Sequence, residues 1–340
     1  MIKIGICGFG YWGPVLYRNF SANPAFDVVA VADRLPERRE RAASIKPHLR
    51  VYSDAVEMID HANLDALAIS TPVGTHFHLA RHALRKGKHV LVEKPLCERA
   101  EQADELIELA KRANLALLVD HVFVFHEAVR MIKRLKDQGG LGELSYFDSL
   151  RVNLGIFQSD VNVLWDLAPH DFSIVDHLFG EEPTFLEATG YYHVHPGQPD
   201  IVYVTAHYRS RMIAHFNLSW MSPVKVRRVA IGGTKQMILW DDLNSEERVK
   251  IYNSGIETGP EEQRILYRIG DIFSPRLPSR EALANVVEEF QRAIEGDKKS
   301  LIDGDAGRRV VRMLEAAQAA LDRRFATLAS LNAGADAVSF

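Results

Sequence analysis

The sequence predicts an α/β fold with a doubly wound parallel sheet, followed by an α+β domain that carries an open, mainly antiparallel sheet. Three patterns indicate this arrangement. Short apolar runs alternate with helical patterns over the first part of the chain. A glycine-rich turn comes directly after the first of these runs. Farther along, segments with alternating polar and apolar residues follow one another across short polar turns, which is typical of antiparallel strands.

Unbroken stretches of Val, Ile and Leu in the first part fit strands that are covered on both faces of a sheet. These predicted strands are Ile2–Cys7, Asp27–Ala32, Leu64–Ser70, His89–Val92 and Leu115–Val119. The segments between them have helical spacing, as from Arg99 to Ala113, where apolar residues recur at intervals of three and four. Repeated strand, helix and strand units place neighbouring strands parallel.

The second part predicts an antiparallel sheet and three helices. Its predicted strands are Leu144–Val152, Thr184–Val194, Ile201–Tyr208, Arg211–Trp220, Lys225–Ile231 and Met237–Asp241. One helix is expected from about Ala168 to Phe179, with Pro169 in its first turn, where proline is tolerated. Two more helices are expected near Arg280–Glu295 and Ala306–Phe325.

We therefore expect a first domain over residues 1–122 and a second over residues 123–327. The final helices of the second domain are expected to pack back on it or on the first domain. Residues 328–340 are small and polar and are interpreted as a loose tail.

The composition is that of an ordinary soluble globular protein. The 340 residues carry a net charge of −4, which argues against a nucleic-acid-binding protein, since such proteins have a basic excess. Cys7 and Cys97 are the two cysteines, too few for a disulfide framework. No apolar run reaches the roughly eighteen residues of a membrane helix, and no signal peptide precedes the first strand. We therefore expect a cytoplasmic protein.

The glycine-rich turn predicts a dinucleotide site. Gly8-Phe9-Gly10-Tyr11-Trp12-Gly13 follows a strand and opens a helix, which is the Rossmann arrangement for binding a pyrophosphate at a helix N-terminus. Asp33 lies twenty residues after Gly13, where a carboxylate binds the adenosine ribose. The Asp33 charge favours NAD over NADP. Arg34, however, could stack on adenine or bind a 2′-phosphate, which would favour NADP.

Two further strand ends carry polar residues. Thr71 and Pro72, with His76, follow one strand, and Glu93 and Lys94 follow the next, before a proline whose peptide bond is a candidate for the cis form. The carboxyl ends of parallel strands meet at the edge where open α/β sheets bind ligands. We therefore add these five residues to the predicted cofactor site, which also contains the whole glycine-rich turn, Asp33 and Arg34.

Together with Trp165-Asp166-Leu167-Ala168-Pro169-His170-Asp171, these motifs resemble those of the Gfo/Idh/MocA oxidoreductase family. The resemblance covers about residues 1–325. It implies a Rossmann domain followed by an α+β domain, whose sheet commonly forms the subunit interface, and hence a homodimer or homotetramer. It identifies Lys94, Asp166 and His170 as catalytic. In a dehydrogenase, a histidine suits proton acceptance and a cationic lysine stabilises a developing alkoxide. Whether Lys94 or His170 is the base stays open.

The second half resembles one branch of that family, the nucleotide-sugar dehydrogenases acting at C3 of a UDP-N-acetyl sugar. The resemblance rests on the runs 151–155, 164–166 and 219–227. It implies hydride transfer between NAD and a sugar ring carbon. The alternatives are an inositol or free-sugar dehydrogenase, a glycoside hydrolase that retains NAD, and a non-catalytic NAD-binding subunit.

Arg151 and Asn153 alternate along one predicted strand, so both side chains lie on the same face. They are candidates for binding substrate hydroxyls or a carboxylate, and the alternative is a solvated strand face. His76 and His78 would diverge on a helix. His193 and His195 would share a strand face, but no carboxylate or cysteine lies at supporting spacing, so no metal site is expected.

Overall fold

The computed structural model describes residues 1–46, 48–155, 157–258, 265–297 and 299–336. Within these ranges the chain forms two compact units. The first combines Met1–His126 with Arg280–Arg312, and the second combines Glu127–Ser279 with the residues from 313 onward. The first unit is therefore discontinuous, because the chain returns to it after the second sheet has been built.

The first unit contains a six-stranded sheet whose strands all pair in parallel, in the order β3-β2-β1-β4-β5-β6. Its strands are β1 (Ile2–Cys7), β2 (Phe26–Ala32), β3 (Arg50–Tyr52), β4 (Ala66–Ile69), β5 (His89–Val92) and β6 (Leu117–Val119). Its helices are α1 (Gly13–Ala22), α2 (Pro36–Ala43), α3 (Ala55–His61), α4 (Val73–Arg85), α5 (Ala100–Ala113) and, from the later segment, α8 (Ala282–Ile294).

Helices cover both faces of this sheet. One face packs against α3, α4 and α5 through side chains such as Met58, Leu84 and Leu106. The other packs against α1, α2 and α8, where Phe20 and Phe290 are fully buried. Because both faces are covered, most strand residues are apolar, which is the pattern that predicts these strands in the sequence.

The second unit contains an eight-stranded mixed sheet in the order β16-β13-β12-β11-β7-β10-β9-β8. Only the β7–β10 pair is parallel among the pairs described, and the rest are antiparallel. The strands are β7 (Leu144–Leu154), β8 (Phe185–Tyr191), β9 (Ile201–His207), β10 (Ile213–Ser219), β11 (Met221–Gly233), β12 (Met237–Asp241), β13 (Val249–Tyr252) and β16 (Ile272–Phe273). A separate hairpin pairs β14 (Gly255–Thr258) with β15 (Ile265–Arg268).

The helices α6 (Glu127–Asp137) and α7 (Val163–Phe179) lie within the second unit. The helix α9 (Gly304–Asp336) begins in the first unit and ends in the second. The predicted fold class is confirmed: a parallel doubly wound sheet precedes a mainly antiparallel one.

The sequence-based prediction did not include the helix α6 or the strands β13 to β16. Three further segments also differ from it. The short edge strand β3 has no long apolar run to announce it. The helix expected from Ala168 begins at Val163, because Asn162 caps it by accepting a hydrogen bond from the backbone N–H of Trp165. The segment interpreted as a loose tail is helical up to Asp336, in keeping with its content of Ala and Leu, and residues 337–340 lie outside the described part of the chain.

In the part of the chain that the structure describes, no helix combines the length and the apolar composition needed to cross a membrane.

Candidate active site

The glycine-rich turn leaves no room for side chains at two of its positions. Gly8 has a φ of +88°, and a Cβ atom added there would lie 2.6 Å from the carbonyl oxygen of Ser70. A Cβ atom on Gly13 would lie 2.2 Å from the carbonyl oxygen of Gly8. At Gly10 the nearest atom to such a Cβ is the mobile end of Arg38, at 3.1 Å. The turn is thus tightly closed on the protein side at Gly8 and Gly13, as a pyrophosphate-binding loop requires.

Asp33 lies at the end of β2 and is almost completely buried. Its Oδ2 atom accepts a hydrogen bond of 2.6 Å from the backbone N–H of Phe9, and its Oδ1 atom accepts one of 2.9 Å from that of Leu35. Arg38 approaches the same carboxylate at 3.6 Å. Each carboxylate oxygen has two lone pairs, so Asp33 retains capacity to accept bonds from ribose hydroxyls.

A cleft of about 540 Å³ opens beside Gly8 and Asp33. It is lined by the ends of β2 and β4 and the first turns of the helices that follow them, including Arg34, Leu35, Arg38, Thr71, Pro72, Gly74 and Thr75. The closed glycine turn, the start of α1, which no side chain caps, and a carboxylate at the cleft wall fit the pyrophosphate and adenosine of a dinucleotide. The predicted residues Gly8, Asp33, Arg34, Thr71 and Pro72 are therefore brought together.

The side chains of the turn have different surroundings. Phe9 is fully buried in the core, whereas Tyr11 is 88% exposed. Arg41 of α2 donates hydrogen bonds of 2.8 Å to the carbonyl oxygens of both Phe9 and Gly10, and its guanidinium lies 5.3 Å from the centre of the Phe9 ring. The sequence analysis did not identify Arg41, since only its distance along the chain from the turn is visible there.

His76 connects two strand ends. It is buried, and its Nδ1 and Nε2 atoms lie 2.9 Å from the carbonyl oxygen of Pro95 and 2.8 Å from that of Thr71. The peptide bond between Lys94 and Pro95 is cis. His76 therefore joins the turn after β4 to the turn after β5, both of which carry predicted site residues.

The turn after β5 brings Glu93 and Lys94 to the carboxyl edge of the sheet. The Oε2 atom of Glu93 accepts a hydrogen bond of 3.2 Å from the backbone N–H of Lys94. The Glu93 side chain also contacts Asp120, which follows β6 and is almost completely buried. Burial and the neighbouring Asp120 carboxylate raise the pKa of Glu93 well above its usual value, although the Lys94 cation opposes them.

Asp120 connects this edge to the dinucleotide turn. Its Oδ2 atom accepts a hydrogen bond of 3.2 Å from the indole N–H of Trp12. Glu93, Lys94 and Trp12, which the sequence predicts for one site, are thus joined through a residue that it does not predict. The sequence does contain a positional signal for Asp120, because Asp120 and His121 follow β6 as Glu93 and Lys94 follow β5.

His121 is also buried, and neither of its ring nitrogens has a hydrogen-bond partner among the described residues. Burial lowers the pKa of His121 to about 3, and the nearby cations of Lys94 and Arg309 lower it further in the same direction. The imidazole is therefore neutral, with one donor and one acceptor nitrogen.

In the second unit, Asp166 and His170 lie four residues apart on α7 and hence on the same side of the helix. The Oδ2 atom of Asp166 accepts a hydrogen bond of 3.0 Å from the indole N–H of Trp220. Both residues are partly exposed, unlike most of the positions that follow them in the helix. The arrangement presents a carboxylate and an imidazole together at one surface of the unit.

Pro169 lies inside α7 and not in its first turn, in contrast to the sequence-based expectation. A proline at this position has no N–H to donate to the carbonyl of Trp165, the residue four positions earlier. The helix continues past it because its start at Asn162 is capped and its later residues Phe172, Ile174 and Val175 are buried.

Arg151 and Asn153 have different surroundings on β7. Arg151 is buried, and its Nε and Nη2 atoms each donate a hydrogen bond of 2.8 Å to Asp171, which is fully buried. Burial disfavours the guanidinium cation, but the Asp171 carboxylate outweighs this effect and raises the pKa of Arg151. Arg151 thus holds the residue that follows His170, whereas Asn153 is only half-buried. Among the described residues, no group of three or more histidines, cysteines and carboxylates is arranged to hold a metal ion.

Comparison with known proteins identifies both halves of the chain. Residues 2–121 match the oxidoreductase family model with an NAD-binding Rossmann fold, and residues 129–239 match the GFO/IDH/MocA C-terminal domain. Among curated proteins, the UDP-N-acetylglucosamine 3-dehydrogenase of Acidithiobacillus ferrooxidans is 30% identical over 91% of this chain and 94% of its own length. The myo-inositol 2-dehydrogenase of Thermotoga maritima is 24% identical over 95% of this chain and 97% of its own.

The solved structures give the same result. A crystal form of the Acidithiobacillus ferrooxidans UDP-N-acetylglucosamine 3-dehydrogenase superposes with a TM-score of 0.77 at 28% identity, covering 95% of this chain and 98% of that one. The two domain matches, the dinucleotide turn and the alignment over nearly the full length of both proteins all indicate the same family. The chain belongs to the GFO/IDH/MocA family of oxidoreductases, with an NAD-binding Rossmann domain at its N-terminus.

Proposed function

We propose that this protein transfers a hydride between NAD and a ring carbon of a sugar, at C3 of a nucleotide-activated N-acetyl sugar. The observation that carries the proposal is the connection of Lys94 to the dinucleotide turn, through Glu93, Asp120 and the indole of Trp12. This connection fixes the turn that carries the Lys94 amine next to the glycine-rich turn that is proposed to bind the cofactor. The UDP-N-acetylglucosamine 3-dehydrogenase at 30% identity supports this substrate class.

When bound, the nicotinamide supplies or accepts the hydride. We propose Lys94, His170 and Asp166 as the catalytic residues. The Lys94 ammonium stabilises negative charge on the alcohol oxygen as its proton leaves. His170 or Lys94 accepts that proton, and Asp166, held by Trp220, orients His170 or binds a neighbouring hydroxyl. Arg151 contributes by holding Asp171 on α7.

NAD is favoured over NADP as the cofactor. The Asp33 carboxylate at the cleft wall suits ribose hydroxyls and repels a 2′-phosphate, because a second negative charge would be brought beside it. Arg34 and Arg38 line the same cleft and are the residues that would reduce this discrimination.

The test follows absorbance at the reduced-nicotinamide band while purified protein and NAD meet UDP-N-acetylglucosamine, its uronic acid, myo-inositol or glucose. Reduction of NAD with a UDP sugar alone supports the proposal. Reduction with myo-inositol alone replaces the substrate by an inositol, the substrate class of the Thermotoga relative. Binding of NAD without reduction by any of the four substrates contradicts the proposal and favours NAD-retaining hydrolysis or a non-catalytic role.

A further inference from the structure

The carboxyl groups of Glu93 and Asp120 are in contact, yet each has one oxygen without a donor. Asp120 Oδ2 accepts from Trp12, and Glu93 Oε2 accepts from the backbone of Lys94. Glu93 Oε1 and Asp120 Oδ1 are shut off from solvent and have no hydrogen-bond partner among the described residues. Two buried acceptors with no donor between them are costly, because each loses its hydrogen bonds to water without replacement.

One proton between the two carboxyl groups removes this cost. It turns the contact between the two carboxyl groups into a hydrogen bond, and it leaves a single negative charge beside the single positive charge of Lys94, which acts on both side chains. Two ionised carboxylates would leave an excess negative charge in a buried place, where an unpaired charge is strongly disfavoured.

We propose that Glu93 and Asp120 share one proton at neutral pH, with Glu93 as the acid and Asp120 as the carboxylate, and that this singly charged pair positions Lys94. The contacts assign the two roles. Each carboxyl group already accepts one hydrogen bond, but their mutual contact raises the pKa of Glu93 and lowers that of Asp120, which makes Glu93 the donor and Asp120 the acceptor. The other charged or titratable groups nearby are Lys94 in the adjoining turn, His121 after Asp120, and Arg309 of α9, whose charge acts on His121.

The pair connects the two parts of the first unit that carry the proposed chemistry. Glu93 accepts a hydrogen bond from the backbone N–H of Lys94, and Asp120 accepts one from the indole N–H of Trp12 in the dinucleotide turn. Both are positioning residues in this proposal, since they act through Lys94 and Trp12. The role of Lys94 rests on the proposed function, whereas the shared proton does not.

Infrared spectroscopy of the full-length protein, without added dinucleotide, tests the shared proton directly. A protonated buried carboxyl group has a C=O stretching band that a carboxylate lacks. We expect the wild-type spectrum at neutral pH to contain a band that Glu93→Gln removes. Glu289→Gln is the matched control, because Glu289 is also a buried glutamate but is paired with Arg292, and it should leave the band in place. Absence of any difference between wild type and Glu93→Gln overturns the proposal.

The pH dependence of unfolding is a second measurement. A carboxyl group whose pKa is raised by folding stabilises the protein fully below its unfolded pKa of about 4.3, and this contribution is lost as pH rises through its folded pKa. The urea-unfolding free energy of wild type should therefore fall relative to that of Glu93→Gln as pH increases above about 4.3. Asp120→Asn should move this loss to lower pH, because it removes the neighbouring negative charge. Parallel wild-type and Glu93→Gln profiles overturn the proposal.

Positioning of Lys94 has its own readout. Asp120→Asn keeps an acceptor for Trp12 but removes the charge that faces Lys94, so we expect kcat to fall by about tenfold while the Kd for NADH changes little. Unchanged kcat overturns the positioning role. An infrared band without hydride transfer to any substrate contradicts the proposed function alone, and hydride transfer without the band contradicts the shared proton alone.

Discussion

The carboxylate of Asp33 holds the backbone of Phe9, with 2.6 Å between Oδ2 and the Phe9 nitrogen. The acid that the sequence assigns to ribose binding therefore also fixes the shape of the glycine-rich turn. Asp33 has two functions that a single substitution removes together, one toward the ligand and one toward the protein itself.

Asp33→Ala should weaken NADH binding by at least about tenfold and lower the free energy of unfolding by about 1–3 kcal/mol, since two backbone N–H groups lose their acceptor. Fluorescence titration and urea unfolding measure the two effects. Asp27→Ala on the same strand is the control. Its partly exposed ion pair with Lys46 is worth at most about 1 kcal/mol. Unchanged NADH affinity in Asp33→Ala would count against the ribose assignment.

Lys94→Ala and His170→Ala should each reduce kcat by about 10²–10⁴-fold, the range for a lost acid–base or charge-stabilising group, while retaining NADH binding. Steady-state rates and NADH titrations separate the two properties. Lys133→Ala removes a lysine that pairs with Asp137 on α6 and should leave the rate unchanged. Wild-type rates in both site variants would exclude the catalytic assignment.

Gly13→Ala should disrupt the dinucleotide turn, because the new Cβ atom would lie 2.2 Å from the backbone carbonyl oxygen of Gly8, which cannot move aside cheaply. We expect a loss of about 1–3 kcal/mol in unfolding free energy, as for other overpacked sites, together with weaker NADH binding. Gly74→Ala is the comparison. Its Cβ atom would be 3.5 Å from the nearest atom, and alanine gains about 0.5–1 kcal/mol over glycine in a helix. Equal stability of both variants would contradict the close approach at Gly13.

Arg151→Met leaves the buried carboxylate of Asp171 without its cation and should destabilise the protein by about 3–5 kcal/mol in urea unfolding. Arg228→Met on the neighbouring strand β11 breaks a half-exposed pair with Asp241 and should cost at most about 1 kcal/mol. A stable Arg151→Met protein with a raised KM for the sugar would instead support the direct substrate contact that the sequence suggests for Arg151.

His121→Gln should reduce the sensitivity of the protein to acid. A histidine whose pKa is lowered to about 3 by folding stabilises the protein above its unfolded pKa of about 6.5, and that stability is lost as pH falls from there toward 3. Wild type should thus lose more unfolding free energy than His121→Gln between about pH 7 and pH 5. His82→Gln, which removes a partly exposed histidine paired with Asp60, is the control. Identical losses in wild type and His121→Gln would show that His121 is accessible to protons in the folded protein.

The sequence predicts the features that depend on neighbouring residues. The turn from Gly8 to Gly13 and the carboxylate at Asp33 follow from short spacings, and the fold class follows from apolar periodicity. Contacts between distant residues carry no such signal. The bond from Trp12 to Asp120 joins residues 108 positions apart, and nothing local marks Asp120 as its acceptor.

The same limit applies to Arg151 and to α7. Alternation on a strand places Arg151 on a face but does not say whether a helix covers that face with Asp171. Pro169 indicates a helix start in sequence, because isolated helices do not tolerate it farther in. Burial of the residues that follow it, such as Phe172, stabilises the longer helix against this local preference.

The position of α8 late in the sequence determines when the first unit can complete its folding during synthesis. Phe290 covers Phe20 and Phe26, with ring centres 6.3 and 6.1 Å away, so these apolar side chains of α1 and β2 stay uncovered until α8 has left the ribosome. The core of the nascent Rossmann unit therefore stays incomplete while the entire second sheet is synthesised. A stop codon after the second sheet would release a protein with its dinucleotide turn intact in sequence but its first core open to water, a substrate for chaperones and proteases.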